Sequence, residues 1–261
     1  MGSETGTINS VDSSITGTIL RDNGLTPNPI AYYDTSLIKR GIKLTVGERV
    51  SYNLDSNGNP TVVTPLSVVD PDFPPDQGTV ISSPYSGDLV VDSGTITTIS
   101  GTTITGNITV NGGTLILKSS DQTGAVPAQI SGDVKCITNS NLTVYKSSIA
   151  GGLSFHNAQE LTIKGGSVGG DTDIHNSQKI KNQGSVGGDT DIKNCAVIII
   201  SGLTINGTKN GMRINNTTTS TAVSNVVVNN GNALIHNNTG CSYSNITAPQ
   251  GKVDITGCTG S

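Results

Sequence analysis

Two groups of side chains in this chain have the types and spacing to hold a cation. The first is acidic. Asp171 and Asp173 lie in Val168-Gly-Gly-Asp-Thr-Asp-Ile174, and Asp189 and Asp191 lie in a near-copy, Val186-Gly-Gly-Asp-Thr-Asp-Ile192, 18 residues later. If the copies stack as neighbouring strands, Asp171 lies over Asp189 and Asp173 over Asp191, roughly 5 Å apart. Stacked like charges repel unless something compensates them. Hard carboxylate oxygens suit a Ca²⁺ between rungs; a hydrated acidic strip is the plainer reading and the favoured one. The second group is histidine. His156, His175 and His236 each stand just before an asparagine at one repeat position. His156 and His175 fall on adjacent rungs, near enough to share a metal ion. No His-x-His pair and no third ligand is evident in the pattern, so turn-edge histidines are the favoured reading. A third candidate is the adjacent pair Tyr32 and Tyr33, aromatic faces on which bases can stack.

None of this composes a catalytic set. Two carboxylates alone do not make a glycosidase, no Cys-His or Ser-His-Asp arrangement stands out, and no phosphate-cradling loop occurs. The chain is therefore read as non-enzymatic, with no cofactor beyond a structural cation.

The elements that must position these residues follow from the repeat. A period of 18 residues is too long for a hairpin and too short for a helix pair, and it fits one turn of a solenoid. The register extends through Tyr85-Ser-Gly-Asp, Ile104-Thr-Gly-Asn, Ile130-Ser-Gly-Asp and Ile149-Ala-Gly-Gly upstream, and loosens downstream. One apolar column reads Val91, Val110, Cys136, Phe155, Ile174, Ile192, Ile214, Ile235, Ile255. A second face adds Leu142 and Val144, Leu161 and Ile163, Ile198 and Ile200, alternating in and out as strands do. The prediction is a right-handed parallel β-helix of about nine rungs over residues 85–261, roughly 40 Å long. In it Thr172 and Thr190 point inward and the four aspartates outward. Two residues past the column stand Asn157, Asn176, Asn194, Asn216 and Asn237, placed to bond amide to amide along the axis.

Composition is consistent with this. Aromatics are 3% of the chain and tryptophan is absent, so the core must be a narrow aliphatic one. A net charge of −4 argues against a general electrostatic grip on nucleic acid or an anionic membrane. No apolar run approaches the ~20 residues that span a bilayer, and Met1-Gly-Ser-Glu-Thr-Gly6 does not read as a signal peptide. Cys136, Cys195, Cys241 and Cys258 lack CxxC spacing and are expected to be buried free thiols in a reducing compartment.

Residues 5–68 read differently. Five short runs, near Gly6-Thr-Ile8, Gly17–Leu20, Ile30–Ile38, Leu44–Leu54 and Thr61–Val68, are separated by Gly, Asn and Asp turns, and predict a small barrel. Asp55-Ser-Asn-Gly58-Asn is a hairpin signal. Arg21, Lys39, Arg40, Lys43 and Arg49 are expected on a solvated surface. Residues 69–84, with Pro71, Pro74 and Pro75, predict an extended linker that holds the barrel at a fixed distance from the first rung. Ser120–Gln129 predicts an insertion between rungs, and Thr217–Ala222 a second polar excursion.

Gly6/Ile8, Gly17/Ile19, Tyr32/Tyr33 and Leu44/Gly47/Val50 occupy the places of the Gly-x-Ile, Gly-x-Ile, aromatic and Leu-x-x-Gly-x-x-Val pattern of the cold-shock family. Over about a quarter of its length the chain thus resembles that branch of the OB-fold. The resemblance implies single-strand binding through stacked aromatics, of which only Tyr32 and Tyr33 are present here, so nucleic acid is not expected as a partner by this count. Barrel followed by β-structured rod resembles, by architecture and composition, the central spikes of contractile-tailed bacteriophages and related injection machines. That resemblance implies a homotrimer, tail or baseplate proteins and the bacterial envelope as partners, and a place at the virion's tail tip. Other readings are a glycan-binding or glycan-cleaving β-helix (adhesin or tailspike), and a cytoplasmic or cell-surface scaffold that polymerises end to end, as bactofilins do.

Overall fold

The computed structural model describes residues 3–24, 29–35, 44, 46, 49–65, 70, 72–120, 125–207 and 210–259. Among the described residues all regular elements are β-strands, and no helix is long and apolar enough to cross a membrane. The chain divides into two units, Met1–Pro71 and Asp72–Ser261.

The first unit is one antiparallel sheet of β1 (Ser3–Val11), β2 (Thr16–Arg21), β3 (Ile30–Tyr33), β4 (Arg49–Leu54) and β5 (Pro60–Pro65), in the order β3-β2-β1-β4-β5. Alternation along the strands buries Ile8, Ile19, Ile30, Tyr32, Val50, Tyr52 and Val63 in one core with Leu44. The two outer strands approach each other. The backbone N–H of Val63 donates to the carboxylate of Asp34, just past β3, at 2.7 Å. The sheet is thus nearly closed and barrel-like. The expected hairpin joins β4 to β5: Asp55 Oδ1 accepts from the backbone N–H of Asn57 (2.9 Å) and Asn59 (2.8 Å), while Gly58 takes φ +80°. Arg21 departs from expectation. It is buried, and one guanidinium nitrogen contacts both carboxylate oxygens of Glu4, at 2.9 and 3.1 Å. Tyr52 donates to the same carboxylate at 3.1 Å. An arginine so paired tolerates burial that an unpaired one would not. Leu37, Ile38, Lys39, Arg40, Lys43, Gly47, Leu66 and Val68 lie outside the described residues, as does the side chain of Arg49.

The second unit is a parallel β-solenoid of about nine turns with three strand faces. The first face is a nine-stranded sheet running from Leu89–Asp92 to Val253–Thr256. Its central column is the one expected: Val91, Val110, Cys136, Phe155, Ile174, Ile192, Ile214, Ile235 and Ile255 pair one to the next. On the second face Leu142 pairs with Leu161 and Val144 with Ile163, and Ile198 and Ile200 continue the two columns. The third face stacks Tyr85, Ile104, Ile130, Ile149, Val168, Val186, Ile205 and Val228. Inward side chains of all three faces make one continuous aliphatic core. Thr172 and Thr190 point inward and are buried.

The corner after the first face explains the asparagines. Gly112, Thr138, Asn157, Asn176, Asn194, Asn216, Asn237 and Gly257 all have φ between +49° and +78°. That left-handed conformation is costly for most residues and least so for Gly and Asn. Stacked amides then add bonds along the axis: Asn194 Nδ2 donates to Asn176 Oδ1 at 3.2 Å, and Asn216 Nδ2 to Asn194 Oδ1 at 3.4 Å.

Three expectations need correction. Residues 72–84 are not a free spacer. Thr79–Ile81 is a strand of the second face, paired with Ile96–Ser100, and the residues before it strap the outside of that face. Asp72 meets Lys164 Nζ at 2.6 Å, Phe73 packs edge-on against buried Tyr145, and buried Lys118 binds Pro74 O (3.0 Å) and Asp76 (2.6 Å). An aromatic and a paired lysine gain more by covering sheet than by standing in water. Thr217–Ala222 is no excursion. Thr217 is buried against Asn238 and Ser220–Val228 is a strand. Cys241 and Cys258 form a disulfide between the last turns, while Cys136 and Cys195 are buried free thiols. The longer turn holding Ser120–Gln129 leaves no gap in the ladder, because Ile104 pairs directly with Ile130; residues 121–124 lie outside the described residues.

Because Asn194 both holds φ +53° and bonds to two neighbours, Asn194→Ala should destabilise the solenoid by about 1–2 kcal/mol. Asn194→Gly should cost less, since glycine has no Cβ penalty there. Urea titration of the solenoid's transition compares the two; equal losses would refute a backbone origin.

Candidate functional site

On the first face alternate residues point outward. Within Thr172–His175, Thr172 and Ile174 are buried and Asp173 and His175 face out. Parallel, in-register pairing sets His156 against His175 on the next rung. Their rings stack, with centroids 4.9 Å apart and planes within 8° of parallel. Asp173 is two residues from His175 and diagonal to His156. Its Oδ1 lies 2.8 Å from His175 Nε2 and its Oδ2 lies 3.1 Å from His156 Nε2. The three donor atoms all lie within 4.8 Å of one another, on half-buried side chains. The His156 contact has hydrogen-bond geometry. The His175 contact is close enough for a charge interaction but misaligned, so His175 Nε2 is shut off from solvent without a hydrogen-bond partner.

Among the described residues this is the one cluster of three or more metal-binding side chains. It joins members of two groups that the sequence pattern separates, and Asp173 is the third metal-binding side chain, which the histidine column alone does not show. The signal was present: residues two apart on a strand share a face, and Asp173 and His175 are two apart. His236 shares the histidine column but has only Asp254 near it, at 3.6 Å.

The other aspartates are engaged elsewhere. Asp171 and Asp189 sit at the corner before the first face and brace backbone amides of the following turn. Asp171 Oδ1 accepts from Asp189 N–H at 2.8 Å, and Asp189 accepts from Asn210 N–H (3.1 Å) and Gly211 N–H (2.9 Å). Asp88, Asn107, Asp133 and Asn232 do the same on other rungs. The Gly-Gly of the repeat is there because the rungs touch at this corner. A Cβ on Gly187 would strike Gly169 O, and one on Gly188 would strike the Asp171 carboxylate. Asp191 faces outward beside Asp173, as expected, but pairs with Lys193 at 2.5 Å.

In the first unit the two tyrosines separate. Tyr32 is buried in the barrel core, and burial foremost, with the charge of Asp12 second, raises its pKa. Its ring lies against Gly17, where a Cβ would collide with it. Tyr33, 64% exposed, is the one of the pair whose face is open to a base.

A groove of about 420 Å³ runs beside the strap, lined by Asp72, Thr143, Thr162, Lys164, Lys181 and Gln183 among others. Comparison with protein-family models, curated proteins and solved structures found no match for this chain.

The two kinds of aspartate predict different mutants. Asp189→Ala strands two backbone amides and should cost about 1–3 kcal/mol. Asp173→Ala, whose partners are surface histidines, should change stability by under about 1 kcal/mol. Thermal melts of the two variants test the assignment, and a larger loss from Asp173→Ala would reverse it.

Proposed function

We propose that this chain is a non-enzymatic structural rod: a spike or baseplate needle of a contractile phage tail or related injection machine, acting on the bacterial envelope as a homotrimer. The observation that carries the reading is the unbroken parallel ladder of the first face, nine strands in register. A solenoid so built resists bending and local opening, because every interior rung is bonded on both sides and exposes no edge. The Cys241–Cys258 disulfide supports a setting outside the reducing cytoplasm. The barrel-like first unit is the counterpart of the OB domain in such spikes. Its open aromatic face is reduced to Tyr33, which favours a docking or spacing role for it over single-strand binding.

Assembly tests the proposal. Sedimentation or light scattering of tag-free protein should give three times the 26.7 kDa of one chain. A monomer at every concentration would sink the needle reading.

A second reading, glycan binding, is favoured by the groove beside the strap, where Thr143, Thr162, Lys164, Lys181 and Gln183 offer polar groups along a wall that also holds Tyr145, Ile163 and Ile199. A polysaccharide panel with a reducing-end assay separates the two. Under this reading wild type binds and Lys181→Ala binds less; absence of binding across the panel removes it. Asp171 and Asp189 would be the carboxylates of a cleaving version, and their bonds to backbone amides speak against that variant.

A further inference from the structure

We infer that His156, Asp173 and His175 bind one transition-metal dication of the Zn²⁺ class on the outer face of the solenoid. The donor set is two imidazole nitrogens and one carboxylate oxygen, which suits Zn²⁺ and its neighbours and not Ca²⁺ or Mg²⁺, whose shells are built of oxygen. Metal–ligand distances near 2.0–2.2 Å place tetrahedral ligand atoms about 3.2–3.6 Å apart. Here no pair of donor atoms exceeds 4.8 Å, so closing on an ion takes about 1 Å or little more of side-chain rotation and no backbone movement. The backbone is already fixed. His156 and His175 are held in register by the strand ladder on two adjacent rungs, which is the rigid support a metal site needs.

Two further features point to a cation. Without one, His175 Nε2 is a solvent-inaccessible nitrogen 2.8 Å from a carboxylate oxygen yet lacking a hydrogen bond, an arrangement that calls for a ligand. The nearest competing positive charge is also neutralised. Lys193, next to His175 on the following rung, is paired with Asp191 at 2.5 Å. Three protein ligands on partly exposed side chains leave the fourth position to water or to a donor from outside. The site is independent of what the rod assembles with.

The test uses the full chain without an affinity tag, stripped by a chelator and dialysed. Calorimetric titration with Zn²⁺ should show one site per chain, Co²⁺ should give the visible absorption of a nitrogen/oxygen-ligated ion, and Ca²⁺ should give no heat. Saturating Zn²⁺ should raise the melting temperature of the solenoid. His156→Ala and His175→Ala should each weaken Zn²⁺ binding at least ~10-fold and Asp173→Asn somewhat less, while His236→Ala should bind as wild type does. Melts without metal verify that each variant is folded. Failure of the wild type to bind Zn²⁺ or Co²⁺, or undiminished binding by the His156→Ala/His175→Ala double variant, overturns the inference.

Discussion

In a parallel solenoid each rung's backbone N–H and C=O groups are satisfied by the rungs on either side, and that pairing in register is the constraint from which the rest follows. It leaves no backbone group to be satisfied by side chains within a face, so those faces can be wholly aliphatic inside. It also stacks like positions at the strand spacing of about 4.8 Å. A residue type that suits one rung therefore meets its own kind on the next. For Ile174 and Ile192 the encounter is favourable. For Asp173 and Asp191 it is not; the lysine beside Asp191 pairs with it at 2.5 Å, and a ring nitrogen of His156 meets Asp173 at 3.1 Å.

The corners are where that regularity meets its cost. Each turn must change direction, and two of the corners do so through left-handed residues, with Asn225 and Asn245 repeating on the second face what Asn176 and Asn194 do on the first. At the third corner most glycines lie too close to the neighbouring rung for a Cβ, and Gly87, Gly106, Gly207 and Gly231 also take positive φ; there an Asp or Asn side chain reaches to an amide of the next turn. One rung is a residue shorter than its neighbour at the second corner, with Gly184 facing Gly165-Gly166, so the pairing shifts register there. Asn182 stands at that place in an otherwise apolar column, between Ile163 and Ile200. It is buried, and its Oδ1 accepts the Gly184 N–H at 3.1 Å while its Nδ2 goes without a partner. A polar residue in the core is the consequence of shortening the turn.

This division explains what could be read from residues alone. The column from Val91 to Ile255 was legible because a stack repeats its hydrophobic positions at a near-constant interval, and the asparagine ladder because a left-handed corner admits few residue types. The strap was not legible. Pro71, Pro74 and Pro75 announce an extended segment, but nothing local tells whether Phe73 faces water or Tyr145. Tyr32 and Tyr33 were read as equals, although strand alternation alone puts one of them in the core. The disulfide was missed because Cys241 opens a strand of the second face while Cys258 lies past the last first-face strand, one turn on, where linear spacing carries no signal. The three-ligand cluster was half legible: the histidines stood out as a column, and the aspartate between them was assigned to another column.

The strap and the cluster show how a repetitive fold acquires individual sites. A perfect repeat would present the same surface on every rung and could recognise nothing in particular. Here distinction comes from departures on the outward positions, which the core does not constrain. Lys118 and Tyr145 stand between Ser100 and Lys164 where the strap crosses, and on two adjacent rungs histidine takes the place that Ile137, Lys193 and Asn215 hold on the flanking ones. Since inward residues fix the ladder and outward ones are free, two histidines with an aspartate between them add little to the rod's stability. Their half-buried convergence, like the covered outer face beneath Phe73, belongs to what the solenoid carries and not to what holds it up.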